Sequence, residues 1–83
     1  MSKGKGYNMK RFYRVNNSVF MEIDFVDTIN EWQAYLIDIE IHKTVSMIVN
    51  SDKMKLIADI VSNNWFSSNT VNFALFIEDI LKY

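Results

Sequence analysis

The strongest constraint on what this chain can fold into is a change of rhythm at Asn50. Before it, apolar residues recur at every second position, and VFMEIDFV (19–26) and LIDIEIH (36–42) alternate almost strictly. Beyond it the apolar spacing lengthens to about 3.6, the repeat of an α-helix. A chain patterned this way places its strands first and its helices after them. The class that results is α+β, with helices gathered on one face of an antiparallel sheet.

The elements follow from that rhythm and from the punctuation between them. KRFYRV (10–15) reads as a short strand, and Asn16-Asn17 supplies residues that tolerate the positive φ of a tight turn. Residues 19–26 form a second strand, DTIN (27–30) is turn chemistry, and 32–42 a third strand. TVSMIV (44–49) is either a fourth strand or a bulged continuation of the third. Ile37, Ile41, Val45 and Ile48 also fall near helical spacing, but the β-branched content and the cleaner alternation favour strands there. After Ser51-Asp52, an N-cap, Met54, Ile57, Ile60 and Val61 line a helix over about 52–63. Asn69 or Thr70 caps a second helix, about 70–82, with Phe73, Phe76, Ile77, Ile80 and Leu81 as its stripe. The expected architecture is an antiparallel meander of three to four strands, then a two-helix hairpin packed on one sheet face. Its core face carries Val19, Met21, Ile23, Phe25, Tyr35, Ile37, Ile39 and Ile41.

At 83 residues the chain makes one small domain over 9–83, preceded by a flexible basic tail, 1–8, that holds both glycines. A domain of this size buries only about 60% of the surface its unfolded chain exposes, so its core must be dense. A composition of 49% hydrophobic and 14% aromatic residues meets that need. No cysteine is present, which removes disulfides, thiolate nucleophiles and thiolate metal sites, and fits a reducing cytoplasm. No apolar run approaches the roughly 20 residues that span a bilayer, so no membrane partner is expected.

The net charge of −1 conceals a segregation. Residues 1–15 carry Lys3, Lys5, Lys10, Arg11 and Arg14 and no acid; residues 16–42 carry Glu22, Asp24, Asp27, Glu31, Asp38 and Glu40 and no Lys or Arg. In a hairpin turning at 27–30, a register that pairs Ile23 with Ile37 sets Glu22 against Asp38, Asp24 against Leu36 and Phe20 against Glu40. Opposed Cβ atoms lie about 4.5–5.5 Å apart, so such carboxylates repel by roughly 1 kcal/mol even in water. Lys10 and Arg14 on the first strand relieve this face, or a basic partner covers it. Glu22, Asp24, Asp38 and Glu40, with Phe20 and Leu36 interleaved, are accordingly the candidate partner-binding residues. Trp65-Phe66, between the helices, either closes the core or stands out as an anchor for a partner or a second copy.

Other chemistry is poorly provided for. Asp38, Glu40 and His42 with Glu22 or Asp24 offer oxygen and nitrogen donors, but same-face residues on a strand are about 6.5–7 Å apart and only one histidine exists. No metal or cofactor is expected, and no phosphate-binding loop, nucleophile elbow or HExxH appears, so no enzymatic activity is expected. Lys10, Arg11, Phe12, Tyr13 and Arg14 mix base and aromatic as single-strand nucleic-acid platforms do. The alternatives are thus a small nucleic-acid-binding protein or a self-associating structural protein, a homodimer included.

In size and in its Asn/Ile/Lys-rich composition, the chain resembles the loose class of short single-domain proteins of AT-rich phages and mobile elements. Many of these bind and block a host protein, CRISPR nucleases and other defence enzymes among them. The resemblance implies an anti-CRISPR-like or other anti-defence inhibitor or adaptor. It would work in the cytoplasm of a host cell and dock on a basic surface or groove, such as that of a nucleic-acid-binding host enzyme.

Overall fold

Four strands and two helices succeed one another in a computed structural model that describes residues 9–66 and 69–83. The strands are β1 (Met9–Arg14), β2 (Val19–Val26), β3 (Glu31–Asp38) and β4 (Lys43–Asn50); the helices are α1 (Lys53–Ser62) and α2 (Thr70–Lys82). The sheet is an antiparallel meander in the order β1-β2-β3-β4. The α+β class, the strands-then-helices order and the helical hairpin on one face agree with the sequence pattern. The expected basic tail, 1–8, lies outside the described residues.

The turns explain the order. Asn16 Oδ1 accepts from the Ser18 amide at 2.8 Å, and Asn30 and His42 take φ of 52° and 53° to close the next two connections. The third strand is shorter than its alternation suggests, because residues 39–42 form the turn and TVSMIV belongs to a separate strand. Asp38 makes that turn: its Oδ1 accepts from the amides of Glu40 at 2.9 Å and Ile41 at 3.3 Å. A side chain that mimics the next ladder bond ends a strand without changing the alternation.

Both helices are capped as expected. Asp52 accepts from the amides of Met54 and Lys55, and Asn69 from that of Asn72. At the end of α1, Asn64 has φ 57°, the Trp65 amide reaches Ile60 O and the Asn64 amide Val61 O. That is a Schellman closure with Asn in the left-handed position, and it turns Trp65 back toward Ile60. Lys53 Nζ donates to Ile80 O at 3.2 Å, setting a cation at the carbonyl end of α2 and the two helices antiparallel.

On the sheet, the core differs from the expected one in a systematic way. Val26 pairs with Glu31 across a loop of four residues, so facing residues of β2 and β3 have opposite parity. Ile23 therefore opposes Ala34, not Ile37. The helix side of β3 is Trp32, Ala34 and Leu36, while Tyr35 and Ile37 point away from the helices and Ile41 is exposed in the turn. Met21, Ile23, Ala34, Leu56, Ile60, Phe76 and Ile80 are fully buried. On the helices Leu56 takes the place expected for Met54 and Val61, both of which are exposed, as is Leu81.

Trp65 and Phe66 are buried, and Phe66 packs on Phe73 and Phe76 with ring centroids 5.7 and 6.0 Å away. Tyr13 links sheet to helix: its ring meets Phe76 edge-on at 5.6 Å, and its hydroxyl donates to Asp79 Oδ2 at 2.6 Å.

Candidate functional site

Both helices lie on one side of the sheet, and among the described residues no second layer covers the other side. Three rungs cross it. The first runs Lys10, Asp24, Gln33, Val49; the second Phe12, Glu22, Tyr35, Met47; the third Arg14, Phe20, Ile37, Thr44. Each follows from strand alternation combined with the observed register. Phe12 is 56% exposed and Met47 53%, and they flank Glu22 and Tyr35 at the two ends of the middle rung.

The charges at the centre are organised around one ammonium. Lys10 Nζ lies 2.7 Å from Glu22 Oε2 and 3.2 Å from Asp24 Oδ2. Burial alone would raise Glu22, but the hydrogen bonds from Lys10 and within the carboxyl pair outweigh it and hold Glu22 below its ordinary value. Asp24 is pushed up, first by burial and then by neighbouring Glu22, against the pull of Lys10. Two carboxylates thus share one cation, and Asp24 Oδ1 is buried with no hydrogen-bond donor among the described residues. Lys10 is itself raised, chiefly by the Glu22 contact. Beside this triad, Tyr35 donates to Gln33, and Gln33 donates to Glu31 at 3.0 Å. The Arg14 guanidinium stands 4.7 Å over the Phe20 ring.

Of the residues singled out from sequence, Glu22, Asp24 and Phe20 do share this face, and the first strand supplies the neutralising Lys10. Asp38 and Glu40 do not join them. Asp38 lies on the helix side at the end of β3, opposite Val19 and Lys43, and Glu40 is exposed in the following turn. The cross-strand row of four carboxylates therefore does not form, because it required an odd number of residues in the loop. Leu36 packs against the core on the helix side. Trp65 and Phe66, at 6% exposure each, fill the core and present no anchor. Among the described residues no group of three His, Asp or Glu side chains stands close enough to hold a metal ion, so the Asp38-Glu40-His42 row is dispersed.

The basic-aromatic strand is also divided. Lys10, Phe12 and Arg14 lie on the open face, Arg11 on the opposite one beside Tyr13, and Tyr13 is buried. Glu31, Gln33, Tyr35, Ile37, Met47 and Val49 belong to the open face and escaped the sequence argument. The available signal was the length of DTIN: a four-residue connection exchanges parity between the strands it joins.

Compared with protein-family models, curated proteins and solved structures, the chain matches none. No helix among the described residues is long and apolar enough to cross a membrane.

Proposed function

We propose that this chain is a non-enzymatic binding module, an inhibitor or adaptor of the kind that small phage proteins supply, and that it docks the open sheet face on a basic surface of a target protein. The observation that carries this reading is the centre of that face. Glu22 and Asp24 hold one ammonium between them, and Asp24 Oδ1 has no donor among the described residues, while Phe12 and Met47 stand out on either side. An arginine or lysine from the target would supply the second cation, and the flanking side chains would give apolar contact around it. Across the three rungs and Glu31 the formal charge is −1, with Lys10 and Arg14 against Glu22, Asp24 and Glu31. Four strands spaced about 4.8 Å, with about 3.3 Å per residue, give a face on the order of 500 Å². That is the smaller class of specific interface, where electrostatic steering and a few anchors decide affinity.

The test is affinity capture of a host target by the immobilised protein, compared with Glu22→Gln/Asp24→Asn and Phe12→Ala/Met47→Ala variants. Capture should fall in both variants, and the wild-type signal should weaken with salt more steeply than that of the charge-neutral pair. Retention of the same target by both variants, at low and high salt alike, would rule the face out. A gel shift with single- and double-stranded probes at low salt serves the nucleic-acid alternative, which requires a shift lost on changing Lys10 and Arg14.

A further inference from the structure

The two edges of the sheet are treated differently. β1 carries Lys10, Arg11 and Arg14 in six residues, and the side-chain amides of Asn69 and Asn72 occupy Arg14 O at 3.2 and 2.8 Å. Such a strand discourages pairing. β4, KTVSMIVN, has one charge, at its first residue, and no proline. Beyond its ladder with β3, no backbone hydrogen bond among the described residues involves 43–50. An open edge of this length presents a row of unpaired amides and carbonyls.

We infer that a second copy of this chain pairs with that edge, β4 antiparallel to β4, making one eight-stranded sheet about a two-fold axis. The bulge in the β3–β4 ladder falls at Val45, and Ser46–Asn50 beyond it is regular. A dyad through Ile48, the middle of that stretch, opposes Met47 to Val49 on the open side and Ser46 to Asn50 on the helix side. Same-face residues meet same-face residues, and no charge opposes a like charge.

The helices supply an independent check. α1 contacts β4 and β3, whereas α2 lies over β1. With strands about 4.8 Å apart, the dyad lies about 2.4 Å from β4 and about 7.2 Å from β3. A helix seated between them is roughly 5 Å from the dyad and about 10 Å from its symmetry mate, a normal helix-packing distance. The flank of α1 that faces α2 is fixed by Lys53, which bonds to Ile80 O, and by Val61, which lines a 140 Å³ cavity with Phe66 and Phe73. At 100° per residue, Lys55 and Asp59 fall on the other flank, which overhangs the β4 edge. Both are exposed, and neither has an ion-pair partner among the described residues.

α1 runs back over β4 from Asp52. Ile48, about 6.6 Å from the end of that strand, therefore lies beneath residues near Ile57 at about 1.5 Å rise each. A dyad there sets Lys55 of one copy opposite Asp59 of the other, twice. This contact uses a surface separate from the docking face, and it enlarges that face by bringing two copies edge to edge.

Sedimentation of the full chain at low salt, across a wide concentration range, tests the assembly. The expected result is a monomer–dimer equilibrium, with amide exchange at 46–50 slowing as dimer forms. Asp59→Lys should raise the dissociation constant about tenfold, and Lys55→Glu/Asp59→Lys should restore it. Both positions are exposed, and circular dichroism of each variant checks that it folds. A monomer at every concentration overturns the inference. So does a dimer that Asp59→Lys leaves intact and Phe12→Glu dissociates, since that dimer would be joined through the open face.

Discussion

Removing one oxygen from the core probes how the sheet and α2 are joined. Tyr13→Phe keeps the ring that meets Phe76 but deletes the 2.6 Å hydrogen bond from the hydroxyl to Asp79. Tyr13 is 7% exposed and Asp79 half-buried, so the deleted hydroxyl leaves an acceptor that water reaches only in part. A hydrogen bond to a charged group contributes about 1.5–3 kcal/mol, and the acceptor left behind adds its own desolvation. In a domain of this size each kcal/mol corresponds to about 4–8 °C, so the melting temperature should fall by roughly 6–24 °C. Denaturant unfolding at neutral pH should show the lower midpoint at an unchanged slope.

The alkaline limb gives the sharper test. Burial first, and then the bond to Asp79, push the Tyr13 hydroxyl above its ordinary value of 10.0. A group raised on folding contributes stability that is fully present below its unfolded pKa and is lost as pH climbs toward the folded value. That loss approaches about 1.4 kcal/mol per pH unit. The wild-type advantage over Tyr13→Phe should therefore shrink above pH 10. An advantage below about 0.5 kcal/mol at neutral pH, or one that stays constant to about pH 11, would refute the reasoning.

Phe76→Ala empties a fully buried site bounded by Tyr13, Phe66 and Phe73 and should cost about 3–5 kcal/mol, enough to unfold much of the population by circular dichroism. Lys10→Met removes the shared ammonium and should cost up to about 1 kcal/mol at neutral pH. Both carboxyls then lose the contact that lowers them, while burial still raises each and Glu22 still raises Asp24, so the variant should gain on wild type as pH falls through the carboxylate range. A deficit that stays the same in urea melts at neutral and acid pH would refute this. Asp38→Ala should destabilise by about 1 kcal/mol while Asp38→Asn, which keeps the accepting oxygen, stays near wild type. Equal losses in the two Asp38 variants would mean that its charge, not its turn bond, is what matters.

The sequence patterns that proved legible are those in which one residue decides a local structure. Asp52 and Asn69 are short polar acceptors placed where orphan amides need them, and both cap as read. The shift from period two to period 3.6 separates sheet from helices because each half must bury one face. The buried stripes were less legible, since a helix pattern fixes a face only to within one neighbour. Leu56 is fully buried where Met54 and Val61 had the same spacing claim, because α1 turns its Leu56–Ile60 side to β4 and β3. The Tyr13–Asp79 bond spans the whole fold and leaves no local trace.

The candidate site turned on one integer. Alternation says that Asp38 and Glu40 share a face; it does not say which face of the neighbouring strand they meet. That depends on whether the connecting loop has an odd or an even number of residues. With four, Asp38 goes to the helix side and closes a turn, and Tyr35 and Gln33 take the places beside Glu22 and Asp24. The face thereby has Tyr35 where Asp38 was expected, Ile37 where Glu40 was expected and Gln33 in place of Leu36, and it gains Glu31 at its end, so no carboxylate stands directly opposite Glu22 or Asp24 on β3. It becomes a surface with one charge-sharing centre ringed by apolar side chains, in place of an acidic strip. On the proposed reading, such a surface would discriminate by fit at its centre as well as by charge. Binding should accordingly depend as much on Phe12 and Met47 as on Glu22 and Asp24, which an acidic strip would not require.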